Sequence, residues 1–222
     1  MKNIIIDFEF AQIQAVPVGV HPVNKNEIIQ IGAVMLDDRL KKVSEFISYV
    51  KPGYAVITKK TKRLTGITEE KLNTAPRFAE AAERLAEWIG EGEYRFYQWS
   101  DSDGIQFGAD CKLNSLTDRF SGIINAEWSD IQKEYADRLG LRDVPSLEHA
   151  INRVGLNVTG KYHDALGDAE NTARLFRLMR NGDELEKKYK EIQDTFFSGT
   201  DSGSTLGDIF GNIFSDILSV AV

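Results

Sequence analysis

The stretch Ile4-Ile5-Ile6-Asp7-Phe8-Glu9-Phe10 decides the fold class and poses the functional question. It is apolar and aromatic except for two acids, the composition of a central strand covered on both faces. Side chains at i and i+2 of a strand point to the same side, so Asp7 and Glu9 face one way, close together. Two like charges placed so repel each other and lose solvation. Basic partners, a shared proton or a divalent cation would each relieve them, and the strand itself brings no cation beyond Lys2. Hard ions such as Mg²⁺ and Mn²⁺ take oxygen ligands of this kind. An exposed strand edge with solvated acids is the simpler alternative, and one Asp-x-Glu pair does not choose between them.

Outward from this strand, residues 2–10, 27–37 and 43–51 read as three successive strands rich in Ile, Val and Phe. A loop with Pro17, Gly19 and Pro22 joins the first two over 11–26. A helix is expected over 58–65, stopped by Gly66, with Thr68 capping a short turn at Glu69-Glu70. Phe78, Ala81, Ala82, Leu85, Trp88 and Ile89 repeat at helical spacing within 74–90, between Pro76 and Gly90. A fourth strand follows at 94–99, then a helix near 103–113, a strand near 123–128, and helices near 129–139, 146–154 and 164–181. Three strands followed by alternating helix and strand predict an α/β fold, one mixed sheet with helices on both faces.

The 222 residues suit one sizeable domain with an appendage. At 42% hydrophobic and 27% charged, the chain has an ordinary globular composition and length enough for a full core. Cys111 is its single cysteine, which excludes an intramolecular disulfide and points to a reducing compartment, here the cytoplasm. Met1 leads straight into strand-like sequence, so no secretory signal is expected. No apolar run reaches the roughly 18 residues of a transmembrane helix. A net charge of −7 argues against coating long nucleic acid. It permits gripping the end of a strand, because metal ions supply positive charge locally.

Two further stretches carry acids at functional positions. Trp99-Ser100-Asp101-Ser102-Asp103 sits where a strand gives way to a helix, a common ligand-binding place in α/β sheets. Helix capping by either Asp is the bland alternative. Gly160-Lys161-Tyr162-His163-Asp164-Ala165-Leu166-Gly167-Asp168 places Asp168 in the first turn of the long helix, where the macrodipole also favours an acid. His163 lies just before that helix, where an imidazole of near-neutral pKa suits proton transfer from water. A solvent-facing surface histidine is its simpler reading.

Taken together, Asp7-x-Glu9, Asp103 and His163-x-Ala165-Leu166-x-Asp168 resemble the motifs of the DEDDh 3′→5′ exonucleases of the DnaQ-like superfamily. Glu27-Ile-Ile-Gln-Ile-Gly-Ala-Val34 and Leu64-Thr-Gly-Ile-Thr68 add to the resemblance. The stretches Asp7 to Phe10, Tyr49 to Pro52 and Thr159 to Leu166 are similar to the Eri-type and KapD-like branch. The resemblance covers about residues 1–182 and implies an RNase H-like five-stranded mixed sheet flanked by helices. It implies phosphodiester hydrolysis with two ions of Mg²⁺ or Mn²⁺, held by Asp7, Glu9 and Asp168 with Asp103 acting largely through water. His163 would be the general base, and nucleoside 5′-monophosphates would leave from single-stranded 3′ ends, RNA rather than DNA. A DNA proofreading or repair exonuclease is the alternative activity, and a regulatory binding module without catalysis is the alternative class. Three positions depart from the pattern. Ala11 stands where many relatives have Thr, Ser100 where Eri-type relatives have Gly, and Gly167 where relatives often have Asp.

Phe10 and Leu64, Thr65, Gly66 and Ile67 are candidates to pack on the terminal sugar and base, since apolar faces accept any base. Core packing is the alternative for Phe10. Lys59, Lys60, Lys62 and Arg63 form a short basic run that meets backbone phosphates or merely faces solvent. Lys161 is a further candidate phosphate contact. Beyond the domain, 183–197 reads as a helical extension, and Ser198 to Thr205 as a flexible linker. Residues 206–222 read as an amphipathic helix with Leu206, Ile209, Phe210, Ile213, Phe214, Ile217 and Leu218 on one stripe. That stripe carries no Lys or Arg, so self-association, docking or a protein partner is expected in preference to a membrane surface.

Overall fold

The computed structural model describes residues 1–199. Five strands form one sheet in the order β3-β2-β1-β4-β5. They are β1 (Lys2–Gln12), β2 (Asn26–Leu36), β3 (Lys42–Tyr49), β4 (Tyr94–Gln98) and β5 (Trp128–Asp130). β1 runs antiparallel to β2 and parallel to β4, so the sheet is mixed. The near-continuous burial of β1 and β2 follows from their central places, covered on both faces.

Alternation along β1 divides the core. Ile4, Ile6 and Phe8 pack against Phe78 and Leu85 of α3 (Phe78–Ile89) and Phe107 of α4 (Ser102–Leu113). Ile5 points the other way, into a cluster with Ala169, Ala173 and Phe176 of α8 (Ala165–Met179). Asp7 and Glu9 share the parity of Ile5, and so lie on the face that α8 covers.

The remaining helices are α1 (Lys59–Thr65), α2 (Glu69–Asn73), α5 (Ser121–Ile124), α6 (Ile131–Arg138), α7 (Leu147–Arg153) and α9 (Glu184–Gly199). Gly66 ends α1 at φ 74°, and Thr68 caps α2 by accepting from the Lys71 N–H, as their residue types predict. α9 is fastened by Leu185, buried among the α8 residues, and by the Arg138–Glu186 ion pair. The expected linker and tail, 198–205 and 206–222, lie outside the described residues except for Ser198 and Gly199, which close α9.

Two elements differ from expectation. The strand anticipated near 123–128 is a short helix, α5, followed by β5 from Trp128. The Phe120 carbonyl accepts from both the Ile123 and Ile124 N–H groups, which curls the β-branched pair into a turn. Trp128 then enters the sheet by stacking on Phe96 at 4.2 Å. The helix anticipated from 74 starts at Phe78. Before it, the Pro76 carbonyl accepts from the Lys51 N–H and Arg77 bridges Lys51, so this segment is held extended.

Candidate active site

The site is built where β1, β2 and the start of α8 converge. Asp7 is paired with Gly32, and Glu9 with Gln30, across the β1–β2 ladder. The register breaks just beyond, between Glu9 and Phe10, an irregularity of the kind that re-aims strand ends near functional sites. Gly32 has a steric reason: a Cβ there would lie 2.1 Å from the Ala165 carbonyl carbon. Only a bare backbone lets the first turn of α8 settle directly on the sheet beside Asp7. Gln30 fastens that turn with both ends of its amide. Its Nε2 donates to Asp164 Oδ1 at 2.8 Å, and its Oε1 accepts from the Ala165 N–H at 3.3 Å. Asn171, fully buried, ties the preceding loop to α8 through the Thr159 N–H and carbonyl.

Asp168 thereby faces the acids of β1. Its Oδ2 accepts from the His163 backbone N–H at 2.8 Å, while Oδ1 is buried without a hydrogen-bond partner. His163 occupies the left-handed region at φ 60°, unusual for a non-glycine residue, which turns its exposed imidazole toward the cleft. Ligand atoms of Glu9, His163 and Asp168 all lie within 4.8 Å of one another. Asp103 approaches from α4, buried at 2% exposure, with Oδ1 accepting from the Phe8 N–H at 3.0 Å. Asp101, by contrast, sits at the N-cap of α4 without a side-chain capping bond.

Electrostatics expose the cost of this gathering. Burial, then Asp103, Asp168, Glu9 and Asp164, hold the Asp7 carboxyl well above its ordinary range. Burial and the same acidic neighbours push Glu9 to about 8. Asp103 is raised by burial against the pull of the Phe8 N–H, and Asp168 is raised to about 6, chiefly by burial. Partial burial lowers the His163 imidazole pKa. Four carboxylates all raised by burial, Asp7 and Glu9 also by others of the four, with an orphaned Asp168 oxygen among them, fit a divalent cation, which satisfies oxygen and charge together.

These groups open on a cleft of about 600 Å³. Phe10, Leu64 and Thr65 line it. Gly66 and Ile67 are not among its lining residues. Ile67 is buried at 1% exposure in a small cluster with Ala11, Ile29 and Leu72, so both it and the departing Ala11 serve packing there. Lys161 lies over the end of α1, where a Cβ on Gly66 would meet its Nζ at 3.2 Å. Of the basic run, Lys60 lines the cleft, whereas Lys59, Lys62 and Arg63 are exposed outside it. Gly167 lies beneath the loop that precedes His163: a Cβ there would be 3.0 Å from the Lys161 carbonyl oxygen. Ser100 takes φ 83° at the cleft wall. Thr58, Thr61, Gln132, Ser146 and Leu147 also line the cleft, and no local motif signals them.

Two carboxylates on the central strand of a mixed α/β sheet, joined by one from each of two flanking helices and by an adjacent histidine, define an RNase H-like nuclease site. The Exonuclease family model matches residues 4–176. The chain is 32% identical over 192 residues to "Probable 3′-5′ exonuclease KapD" of Bacillus subtilis, covering 85% of this chain and 87% of that protein. It is 26% identical over 188 residues to mouse 3′-5′ exoribonuclease 1, covering 80% of this chain and 54% of the relative, about half its length. The solved nuclease domain of 3′hExo, a DEDDh family member bound to rAMP, superposes with a TM-score of 0.67 at 25% identity over 82% of this chain and 94% of that domain. The chain belongs to the exonuclease family, as a DEDDh-type 3′→5′ exonuclease of the DnaQ-like superfamily.

Proposed function

We propose that the chain is a divalent-metal-dependent exonuclease that trims single-stranded 3′ ends, RNA in preference to DNA, and releases nucleoside 5′-monophosphates. The observation that carries this is the quartet Asp7, Glu9, Asp103 and Asp168, with one Asp168 oxygen buried and unpartnered beside an exposed His163. The RNA preference is supported by the similarity to mouse 3′-5′ exoribonuclease 1 and to the 3′hExo domain bound to rAMP.

Asp7, Glu9 and Asp168 would hold the cations, with Asp103 completing the charge from α4. Bound there, Mg²⁺ or Mn²⁺ supplies charge neutralisation at the scissile phosphate. The residues of the chain do the rest. Phe10 and Leu64 give the terminal nucleotide an apolar bed. His163, kept neutral by its lowered pKa, takes the proton of the attacking water at an imidazole nitrogen. Water oxygen joins phosphorus, the bond from phosphorus to the 3′ oxygen breaks, and that oxygen takes up a proton. The phosphate leaves on the 5′ side of the released nucleoside.

The test is cleavage of matched 5′-labelled single-stranded RNA and DNA in Mg²⁺, Mn²⁺ or EDTA, by wild type and Asp7→Ala. A metal-dependent ladder shortening from the 3′ end, faster on RNA and absent in the variant, is expected. Equal cleavage by Asp7→Ala would overturn the assignment.

A further inference from the structure

The cleft lining contains a fixed hydrogen-bond acceptor that the hydrolytic chemistry does not use. Trp99 Nε1 donates to the Pro145 carbonyl at 3.2 Å, and Gln132 Nε2 donates to the same oxygen at 3.0 Å. A carbonyl oxygen accepts and never donates, so the amide of Gln132 must present its NH₂ to Pro145. Its Oε1 is therefore directed away from that carbonyl. Gln132 lines the cleft and is part-buried, and its Oε1 has no described partner.

The neighbouring hydroxyls each have a bond within the protein, and a hydroxyl rotates to suit its partner, so none presents an acceptor of set direction. Ser146 Oγ accepts from the His149 N–H at 3.3 Å as the cap of α7, and Ser100 Oγ is bonded to Ser102 Oγ at 2.8 Å. On the α1 wall, Thr58 and Thr61 bond each other, and Thr65 bonds within its own turn. Gln12 and Asn26 also line the cleft, but no described hydrogen bond sets their side-chain direction, whereas Gln132 offers a neutral side-chain acceptor whose direction is set by its bond to Pro145. A preset acceptor rewards a substrate donor and is left unpaired by an analogue that lacks it. A single strand differs between RNA and DNA at each sugar by one such group, the 2′-OH.

We infer that Gln132 is a specificity-determining residue, whose Oε1 accepts a hydrogen bond from a ribose 2′-OH in the cleft. This rests on the reading of the chain as an exonuclease that favours RNA. Gln132→Met keeps length and removes the acceptor. The experiment measures kcat/KM for wild type and Gln132→Met on matched RNA, DNA and RNA carrying 2′-O-methyl groups at its last three nucleotides. Thermal unfolding of both proteins runs alongside.

The RNA rate should fall about three- to tenfold in the variant, the worth of one hydrogen bond. DNA and 2′-O-methyl rates should change less than twofold, so that the RNA/DNA ratio contracts. A variant that loses activity equally on all three substrates, or keeps the full RNA/DNA ratio, overturns the inference while leaving the RNA preference standing. A wild type that shows no RNA preference overturns both, and that outcome is visible before the variant is made.

Discussion

Gly32→Ala tests how the site is assembled, since it touches no catalytic group. The added Cβ would lie 2.1 Å from the Ala165 carbonyl carbon and 2.2 Å from the Leu166 nitrogen. Both are backbone atoms in the first turn of α8, so no side-chain rotation relieves the clash. Restoring ordinary contact at about 3.4 Å demands a shift of roughly 1.3 Å between β2 and α8. The moving turn carries Asp168, whose Oδ2 is tied to the His163 N–H. Asp7, paired with Gly32, stays with the sheet. The two halves of the site are thus pulled apart by about 1 Å, a displacement that costs on the order of 100-fold in rate. Overpacking should also cost about 1–3 kcal/mol of stability. For a chain of this size each kcal/mol lowers Tm by about 2–4 °C. The assay is kcat/KM on 5′-labelled single-stranded RNA with a thermal melt of the same preparation. Activity within twofold of wild type at an unchanged Tm would refute the claim that close approach of α8 organises the site.

Other perturbations separate chemistry from scaffold. His163→Ala should lower kcat about 10²- to 10⁴-fold with little change in Tm, because its side chain is exposed; a large Tm loss would mark it as structural. Gln30→Leu removes both bonds that seat α8 and should lower stability by about 1–3 kcal/mol and reduce kcat/KM, which denaturant titration and kinetics check together. Glu27→Ala should destabilise the protein comparably, since its carboxylate accepts from the Gly53, Tyr54 and Ala55 N–H groups; unchanged urea unfolding would count against it. In EDTA, stability should fall as pH rises from about 4 to 8. Asp7, Glu9, Asp103 and Asp168 are raised, so the folded protein keeps protons that the unfolded chain releases. The lowered His163 works in the opposite sense, one group against four. Excess Mg²⁺ should flatten most of the slope, leaving the part due to Asp110, raised to about 7 away from the site. Melting curves across pH with and without Mg²⁺ measure this, and a Tm that climbs with pH in EDTA would contradict it.

The sheet and the site acids were legible in the sequence for the same reason. A near-continuous apolar run identifies β1, and the two acids that interrupt it, two residues apart, fall on one face. Helix ends were readable wherever a residue type carries its own mechanism, as at Gly66 and Thr68. The strand at Ile123 was misplaced because β-branched residues signal burial as much as extension; here Phe120 and Trp128 decide the geometry. Gln30, Gly32 and Asn171 act through approaches between distant segments, and local sequence holds no measure of distance. Glycine and glutamine in an otherwise apolar central strand were the available signal. Each marks a place where another backbone must come close or be held.

Burial of acids alone would have overstated the site. Asp110 is buried at 2% exposure and strongly raised, yet Ile28 N–H and Gln106 Nε2 satisfy both its oxygens. Glu27 is buried and takes three backbone donors. These acids brace the strand ends and loops around the cleft, and their charge is spent on protein donors. Asp168 differs in having one oxygen that receives a donor and another that receives none. A fold gains nothing by desolvating that second oxygen unless something outside the chain completes it. Asp7 and Glu9 share one face of β1, and Glu9 adds to the burial and acidic neighbours that hold the Asp7 carboxyl high. What separates Asp168 from the bracing carboxylates Asp110 and Glu27 is the unfilled oxygen that burial leaves behind.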